Sequence, residues 1–130
     1  NMVPGAAIDD APLQFNGQDT WLSDITGNEF MAIIYSQQAP VMSPALSQEL
    51  ASLTSHHIAV KVIWVCAQAP ASNFDFPVYV DAAGRFAERF DCQDNTTYLL
   101  RPDQHVSARW RSIHVAQISA AVAKATMNTH

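Results

Sequence analysis

The side chains best suited to chemistry are concentrated in one short run near the end of the chain, TTYLLRPDQHVSARWR. It contains Arg101, Arg109 and Arg111, together with His105 and an aspartate. Arginine binds carboxylates and phosphates, and histidine exchanges protons near neutral pH, so the run is a candidate anion site or active site. An anion site would also need a glycine-rich loop or a helix N-terminus, and neither can be placed beside these arginines. We therefore interpret the run as a polar hairpin and keep the three arginines as candidate contacts with another domain or partner.

The other reactive side chains are two cysteines, Cys66 and Cys92, and neither lies in a C-x-x-C motif. Dithiol exchange needs such a pair at the start of a helix, where the helix dipole stabilises a thiolate. The matching segment here, residues 36–39, reads SQQA and has no cysteine. A peroxiredoxin would also need a cysteine in this loop. We therefore predict no thiol chemistry and interpret both cysteines as free thiols of a cytoplasmic protein.

The histidines and glycines indicate neither a metal site nor a nucleotide site. His56 and His57 are adjacent, the others are scattered, and none has metal-ligand spacing with a cysteine or carboxylate. The four glycines form no G-x-G-x-x-G motif, and no serine lies in a G-x-S-x-G motif. The sequence therefore predicts no catalytic residue, no cofactor-binding residue and no metal ligand in this chain.

Charge is unevenly distributed along the 130 residues. The net charge is −5, and residues 1–60 contain no lysine or arginine. The acids in that half are Asp9, Asp10, Asp19, Asp24, Glu29 and Glu49. Nucleic acids and anionic membranes attract basic surfaces, so this distribution argues against both as partners. No apolar run has the length of a membrane span.

Two apolar runs predict the centre of an α/β fold. FMAIIYS (residues 30–36) and HHIAVKVIWVC (residues 56–66) have the composition of strands buried on both faces. Between them a helix is expected to begin with Ser43 as N-cap and Pro44 at the first position. Two strands joined by one helix predict a parallel βαβ unit. The apolar side of this helix is formed by Leu46, Leu50 and Leu53.

The flanking segments complete the expected domain. Residues 1–29 are interpreted as an N-terminal arm of the same domain, with short strands near Leu13–Phe15 and Trp21–Leu22, and residues 30–130 as the core. After the βαβ unit we expect a short strand, PVYV, and a short helix near AAGRFAERF. Asp81 would cap that helix, and Phe86 and Phe90 would form its inward-facing pair.

The hairpin and a final helix follow. Alternation predicts that Val106, Ala108 and Trp110 are buried together while His105, Arg109 and Arg111 face outward from a strand at the sheet edge. The last helix is expected from about Ile113 to Thr126. The order βαβ, short helix, β-hairpin and helix predicts a thioredoxin-like α/β fold, with a mixed sheet and helices on both faces.

The turn of the hairpin, RPDQ, carries a specific expectation. Glycine is favoured at the last position of such a turn because the chain often needs positive φ there. We expect Gln104 to adopt positive φ, so that Gln104→Gly would stabilise the fold by about 0.5–1 kcal/mol.

Two segments together resemble a known family. DAAGRFAERFDCQDNTTYLLRPDQHVSARWR, with the upstream APLQ and WLSDITGNEFMAIIYS, is similar to the C-terminal region of flavin-dependent aromatic-ring hydroxylases. These are the group A monooxygenases, which include phenol, hydroxyphenylpropionate and polyketide hydroxylases. The resemblance extends from about Pro4 to Thr126. It departs from the family at Gln104, where glycine is usual.

The resemblance implies a thioredoxin-like appendage without redox cysteines. FAD, NAD(P)H and the aromatic substrate would be bound by upstream domains of the same polypeptide, so no catalytic or cofactor residue is carried over onto this chain. The expected role is packing or homo-oligomerisation of the parent flavoprotein. Two alternatives remain: a free-standing degenerate thioredoxin or peroxiredoxin relative that acts as a binding module, and a thiol enzyme that uses Cys66 or Cys92. A gene that begins at Met2 would favour the free-standing module, and an excised domain would favour the appendage.

Overall fold

A mixed sheet of seven strands forms the centre of the computed structural model, which describes residues 4–38, 43–54, 58–69 and 76–127. The elements in chain order are β1 (Pro12–Phe15), β2 (Gln18–Trp21), α1 (Leu22–Ile25), β3 (Phe30–Ser36), α2 (Pro44–Thr54), β4 (Val60–Cys66), β5 (Val78–Val80), α3 (Arg85–Arg89), β6 (Thr97–Leu100), β7 (Val106–Trp110) and α4 (Val115–Met127). The strands lie in the order β2-β1-β5-β4-β3-β6-β7. The β3/β4 and β4/β5 pairs are parallel and the other pairs are antiparallel.

The two apolar runs form the central strands, as the sequence predicts. β3 has the predicted bounds, but β4 begins at Val60 instead of His56. The register gives the reason, because Val60 pairs with Phe30, the first residue of β3, and earlier residues of β4 would have no ladder partner. His56 and His57 lie outside the described residues.

Helices cover both faces of the sheet, which confirms the thioredoxin-like α/β prediction. α2 and α4 lie on one face, where Leu50, Leu53, Ile118 and Val122 are buried against alternate residues of β3 and β4. We call this the α2/α4 face. The opposite face is covered by α3 and by part of the N-terminal segment, and we call it the α3 face. Side chains buried there include Ala11, Leu13, Leu22, Phe86 and Phe90.

The predicted start of α2 is confirmed. Asp81 also binds the first turn of α3 as expected, although that helix begins at Arg85 with Gly84 at the N-cap position. The hydroxyl of Ser43 accepts the N–H of Leu46 at 3.1 Å, and Pro44 is the first residue of α2. The carboxylate of Asp81 accepts the N–H of Phe86 at 3.0 Å and that of Ala87 at 2.9 Å, so it satisfies two donors in the first turn of α3 that would otherwise have no partner.

The second N-terminal strand is displaced from its predicted place at Trp21–Leu22. β2 runs from Gln18 to Trp21, and Leu22 begins α1. The cause is a tight turn at Asn16 and Gly17, which both have positive φ (52° and 80°). Asn-Gly is the preferred pair for a two-residue hairpin turn, and this turn fixes the pairing of the two strands that flank it.

The prediction that Val106, Ala108 and Trp110 are buried together is wrong. A register shift lies between Leu99 and Leu100, since Leu99 pairs with Ala108 but Leu100 pairs with Val106. The extra residue is a β-bulge, and it reverses the side-chain alternation. Val106 is therefore buried on the α3 face, whereas Ala108 and Trp110 are only partly buried and pack on the α2/α4 face.

β7 is the last strand of the sheet, as expected, but its first residue is covered by the N-terminal segment. Val106 donates its N–H to the carbonyl of Ala6 at 2.8 Å and accepts the N–H of Gly5 at 2.7 Å. Ile8 donates to the carbonyl of Gln104 at 3.0 Å. The N-terminal segment thus reaches from β1, on one side of the sheet, to the opposite edge.

Gln104 has the predicted positive φ, at 65°. Its side chain, however, has a role that the sequence did not indicate. Nε2 donates to the carbonyl of Ser23 at 3.0 Å, and to the carbonyl and hydroxyl oxygens of Thr26 at 3.1 and 2.9 Å. These hydrogen bonds attach the hairpin turn to α1.

We therefore expect Gln104→Gly to lower the free energy of unfolding by about 1–2 kcal/mol, which reverses the sign of the sequence-based expectation. Relief of the positive φ favours glycine by about 0.5–1 kcal/mol, but the partly buried hydrogen bonds contribute more than that. Urea denaturation of both proteins measures the difference. Asn95→Gly is the matched control, because Asn95 is exposed and also has positive φ (69°), and it should be neutral or slightly stabilising.

Candidate functional site

The carboxyl ends of β3 and β4 lie side by side, where a thioredoxin-like fold would place its reactive thiol. Ser36 pairs with Cys66 at this edge. The hydroxyl of Ser36 donates to the carbonyl of Gln38 at 2.7 Å, and the N–H of Gln37 donates to Asp94 Oδ1 at 2.7 Å. Neither a serine hydroxyl hydrogen-bonded in this way nor a glutamine amide can do thiol chemistry. Ala39, the last residue of the predicted segment, lies outside the described residues.

Cys66 is fully buried on the α2/α4 face. Burial raises the pKa of its thiol to about 11, and the nearby Asp94 carboxylate contributes in the same direction. Cys92 is partly buried against the α3 face, where burial raises the pKa of its thiol to about 12, again with help from a carboxylate, that of Asp81. Both side chains are therefore protonated at neutral pH, and a protonated thiol is a poor nucleophile.

The two thiols are also separated by the sheet. Cys66 packs on the face that carries α2 and α4, and Cys92 packs on the face that carries α3. A disulfide requires the two Cα atoms to lie within about 7 Å, with the Cβ atoms directed toward each other. Side chains on opposite faces of one sheet do not meet this requirement. The geometry therefore favours structural thiols over a redox pair.

We expect neither thiol of the folded chain to react readily with Ellman's reagent at pH 8. An unperturbed thiol reacts within seconds to minutes, whereas raised pKa values and burial should slow both cysteines by about a hundredfold or more. In urea both should react at the ordinary rate, which provides the internal control. Rapid labelling of one cysteine in the folded protein would contradict this description, and Cys66→Ser or Cys92→Ser would identify which one.

The three candidate arginines do not form one site. Arg101, at the hairpin turn, binds Asp103 through two hydrogen bonds of 2.8 and 3.1 Å, and these hydrogen bonds hold the pKa of the Asp103 carboxyl below its usual range. Arg111, beyond the other end of β7, pairs with Asp91 at 2.6 Å and with Thr96 Oγ1 at 3.3 Å. The backbone positions of Arg101 and Arg111 are separated by the length of β7, roughly 16 Å.

Arg109 does not point freely outward as predicted. It pairs in the ladder with Tyr98, which is buried on the α3 face, and its side chain is half-buried. Burial raises the pKa of Tyr98, and a hydrogen bond from Arg109 opposes that rise. The arginines therefore have intramolecular partners, which fits a hairpin better than an anion site.

A groove of about 850 Å³ lies between α4, β7 and the hairpin turn, and sequence reasoning did not find it. Ser107, the residue at the bulge, lines its floor together with Ala108, and Arg101 and Lys124 bring the positive charges. The signal in the sequence was only the small residues of α4, which leave room beside the strand. Asp103 also lines the groove, and no histidine or cysteine does so among the described residues.

Two further observations concern metal binding and membrane insertion. Within residues 4–38, 43–54, 58–69 and 76–127, no group of three or more His, Cys, Asp or Glu side chains could hold a metal ion. In the same part of the chain, no helix has the length and hydrophobicity to cross a membrane.

Comparison with solved structures identifies the same fold in two kinds of protein. The flavin-dependent monooxygenase PieE, solved with FAD and substrate, matches with a TM-score of 0.67 and 23% identity over 93% of this chain. This chain corresponds to only 19% of the length of that protein. The peroxidoxin BcpB from Mycobacterium tuberculosis matches with a TM-score of 0.70 and 18% identity, over 100% of both chains. A thiol peroxidase from Chromobacterium violaceum matches with a TM-score of 0.75 and 11% identity, over 95% of this chain and 88% of that one.

Sequence comparison is more specific. The family model described as the HcaD C-terminal domain matches residues 13–125. This range runs from β1 into the last turns of α4, so it contains both faces of the sheet and the cysteine-free end of β3. No curated protein sequence matches the chain at a significant level.

Proposed function

The chain belongs to the HcaD C-terminal domain family, and on that basis we propose that it is the redox-inactive accessory domain of an FAD-dependent monooxygenase of aromatic compounds. In this proposal the upstream domains of the same polypeptide bind FAD, NAD(P)H and the aromatic substrate. The present chain contributes packing or homo-oligomerisation. The match to a segment of the flavin-dependent monooxygenase PieE supports this assignment.

The observation that carries the proposal is that both thiols are protonated, at least partly buried and on opposite faces of the sheet. A thioredoxin-like domain that works in electron transfer needs an accessible thiolate. Cys66 and Cys92 are instead protonated, buried or partly buried, and on opposite faces of the sheet. This favours a domain that has the thioredoxin-like fold without its thiol chemistry. Two free thiols also favour the reducing cytoplasm as its location.

We include the N-terminal arm, residues 1–29, in the same domain as the core, residues 30–130. The hydrogen bonds between Gly5, Ala6 and Val106 support this, because they join the arm to the last strand. An arm that belonged to an upstream domain would not need to complete the edge of this sheet. Removal of the first eleven residues should therefore destabilise the domain.

The first test measures the flavin binding and the thiol chemistry of the isolated chain. The isolated chain should bind FAD no better than about millimolar by fluorescence titration, near −4 kcal/mol, and should neither consume peroxide nor reduce insulin with dithiothreitol. A competent peroxidoxin serves as the positive control. Micromolar FAD binding, or turnover abolished by Cys66→Ser or Cys92→Ser, would refute the proposal.

The free-standing binding module is the second candidate, since the match to the peroxidoxin BcpB covers 100% of both chains. An antibody against this chain distinguishes the two. In extracts of the native cells, the accessory-domain proposal predicts a band several times larger than 14.3 kDa. A band at 14.3 kDa would favour the binding module instead.

A further inference from the structure

The edge of the sheet formed by β2 is open to pairing with a further strand. β2 pairs with β1 on one side and, among the described residues, with no strand on the other. Edge strands are commonly protected by short length, charged side chains, proline or a β-bulge. β2 is short and carries Asp19, but it has no lysine, proline or bulge. β2 reads Gln-Asp-Thr-Trp, and its pairing with β1 is regular at all four positions. Its outer backbone groups are therefore presented to any strand that can approach.

An exposed tryptophan lies at the end of this strand. Trp21 is 50% exposed, which sets it apart from the other large apolar side chains of the described residues. The register explains why, because Thr20 pairs with buried Leu13 and so faces the core, which turns Trp21 and Asp19 to the opposite side of the hairpin. An exposed indole beside an open strand edge is a common anchor in protein interfaces.

The charges near Trp21 restrict what can bind. Asp19 is exposed and accepts a hydrogen bond of 3.1 Å from the side chain of Gln14, and Asp24 is exposed in the following helix. Residues 1–60 contain no lysine or arginine, and Arg89, which approaches this segment from α3, donates to the carbonyl of Asp10. A nucleic acid or an anionic membrane would be repelled by these carboxylates.

A second copy of the chain is also disfavoured on this edge. Two β2 strands paired edge to edge would bring the Asp19 carboxylates of both copies close together, and like charges placed across a strand pair destabilise it. A strand that carries arginines has the opposite effect. It would pair its main chain with β2, place guanidinium groups against the carboxylates, and stack on the indole ring.

We propose that the β2 edge, with Trp21, Asp19 and Asp24, is a docking site for an extended, arginine-containing segment of protein. The segment adds a strand to the sheet beyond β2. The main-chain hydrogen bonds provide affinity, and the two carboxylates with the exposed indole select a basic sequence. This inference does not depend on the proposed function, because it concerns only the edge and its charges.

The experiment titrates the full chain with two synthetic octapeptides, monitored by amide NMR shifts. One peptide is Thr-Arg-Val-Arg-Thr-Arg-Val-Arg, and the other has glutamate in place of every arginine. The arginine peptide should bind and shift the amides of Gln18–Trp21, and binding should weaken by about tenfold or more between 50 and 500 mM salt. The glutamate peptide should not bind.

Variants of the site provide the controls. Asp19→Lys combined with Asp24→Lys should weaken binding of the arginine peptide by about tenfold or more, and Trp21→Thr, which keeps strand propensity, should also weaken it. Glu49→Lys removes an exposed acid on α2 and should leave binding unchanged. Circular dichroism confirms that each variant is folded. Absence of binding at 5 mM peptide, shifts elsewhere, equal binding of both peptides, or self-association abolished by Trp21→Thr would each overturn the proposal.

Discussion

Replacement of Phe86 by alanine is expected to lower the free energy of unfolding by about 3–5 kcal/mol. Phe86 is fully buried at the centre of the α3 face. Its ring stacks on Phe90 with centroids 4.5 Å apart, and Tyr35 lies 6.3 Å away on β3. α3 has only five residues, so it depends on this packing for its position. The cavity left by alanine would loosen both the helix and its contact with the sheet.

Chemical denaturation of the wild type and of two variants measures this effect. Phe86→Leu keeps most of the buried surface and should cost only about 1–1.5 kcal/mol. Trp21→Ala removes a larger side chain that is half exposed, and it should cost less than about 1 kcal/mol. If Phe86→Ala and Trp21→Ala had equal costs, the assignment of the buried face would be wrong.

Replacement of Asp81 by alanine should cost about 2–3 kcal/mol, the second large effect. Its side chain is only 2% exposed, and it accepts the N–H groups of Phe86 and Ala87. Without the carboxylate the buried N–H of Phe86 and the partly buried N–H of Ala87 lose their partner, which is more costly than the loss of an exposed helix cap. Asp81→Asn can still accept one of the two N–H groups and should cost about half as much.

A second measurement separates the electrostatic role of Asp81 from its role as a cap. The Asp81 carboxylate contributes to the raised pKa of Cys92. In both Asp81→Ala and Asp81→Asn this pKa should therefore fall, although burial, the larger cause, keeps it above the usual thiol value. The pH dependence of Cys92 alkylation, measured in a Cys66→Ser background, detects the change. An unchanged pH profile would mean that the carboxylate does not act on the thiol.

The sequence predicted the elements whose signals are local. The continuous apolar runs located β3 and most of β4, and the Ser-Pro pair at residues 43–44 located the start of α2. The spacing of Phe86 and Phe90 predicted their contact. In each case the residues that form the pattern are close together in the chain, so the same few residues determine both the sequence pattern and the local structure.

The sequence did not predict features that depend on distant partners. The bulge at Ser107 arises from the pairing of β7 with β6, and the alternation Val106, Ala108, Trp110 looks the same whether or not a bulge interrupts it. The side chain of Gln104 is bound by Ser23 and Thr26, which lie far away in the chain. The arginines of the hairpin are likewise close together in the sequence, but in the structure Arg101 binds Asp103 at one end of β7 and Arg111 binds Asp91 at the other.

The pairing of the N-terminal segment with β7 determines when the fold can be completed during synthesis. Gly5, Ala6 and Ile8 are synthesised before the residues that bind them, Gln104 and Val106, which follow β6 in the chain. Contacts between segments so far apart in the chain are slow to form, because closing the long intervening stretch of chain costs entropy before the contact is made. The N-terminal segment of the domain therefore lacks these partners until β7 has been synthesised. Its acidic composition and lack of long apolar runs keep such a nascent segment soluble and resistant to aggregation.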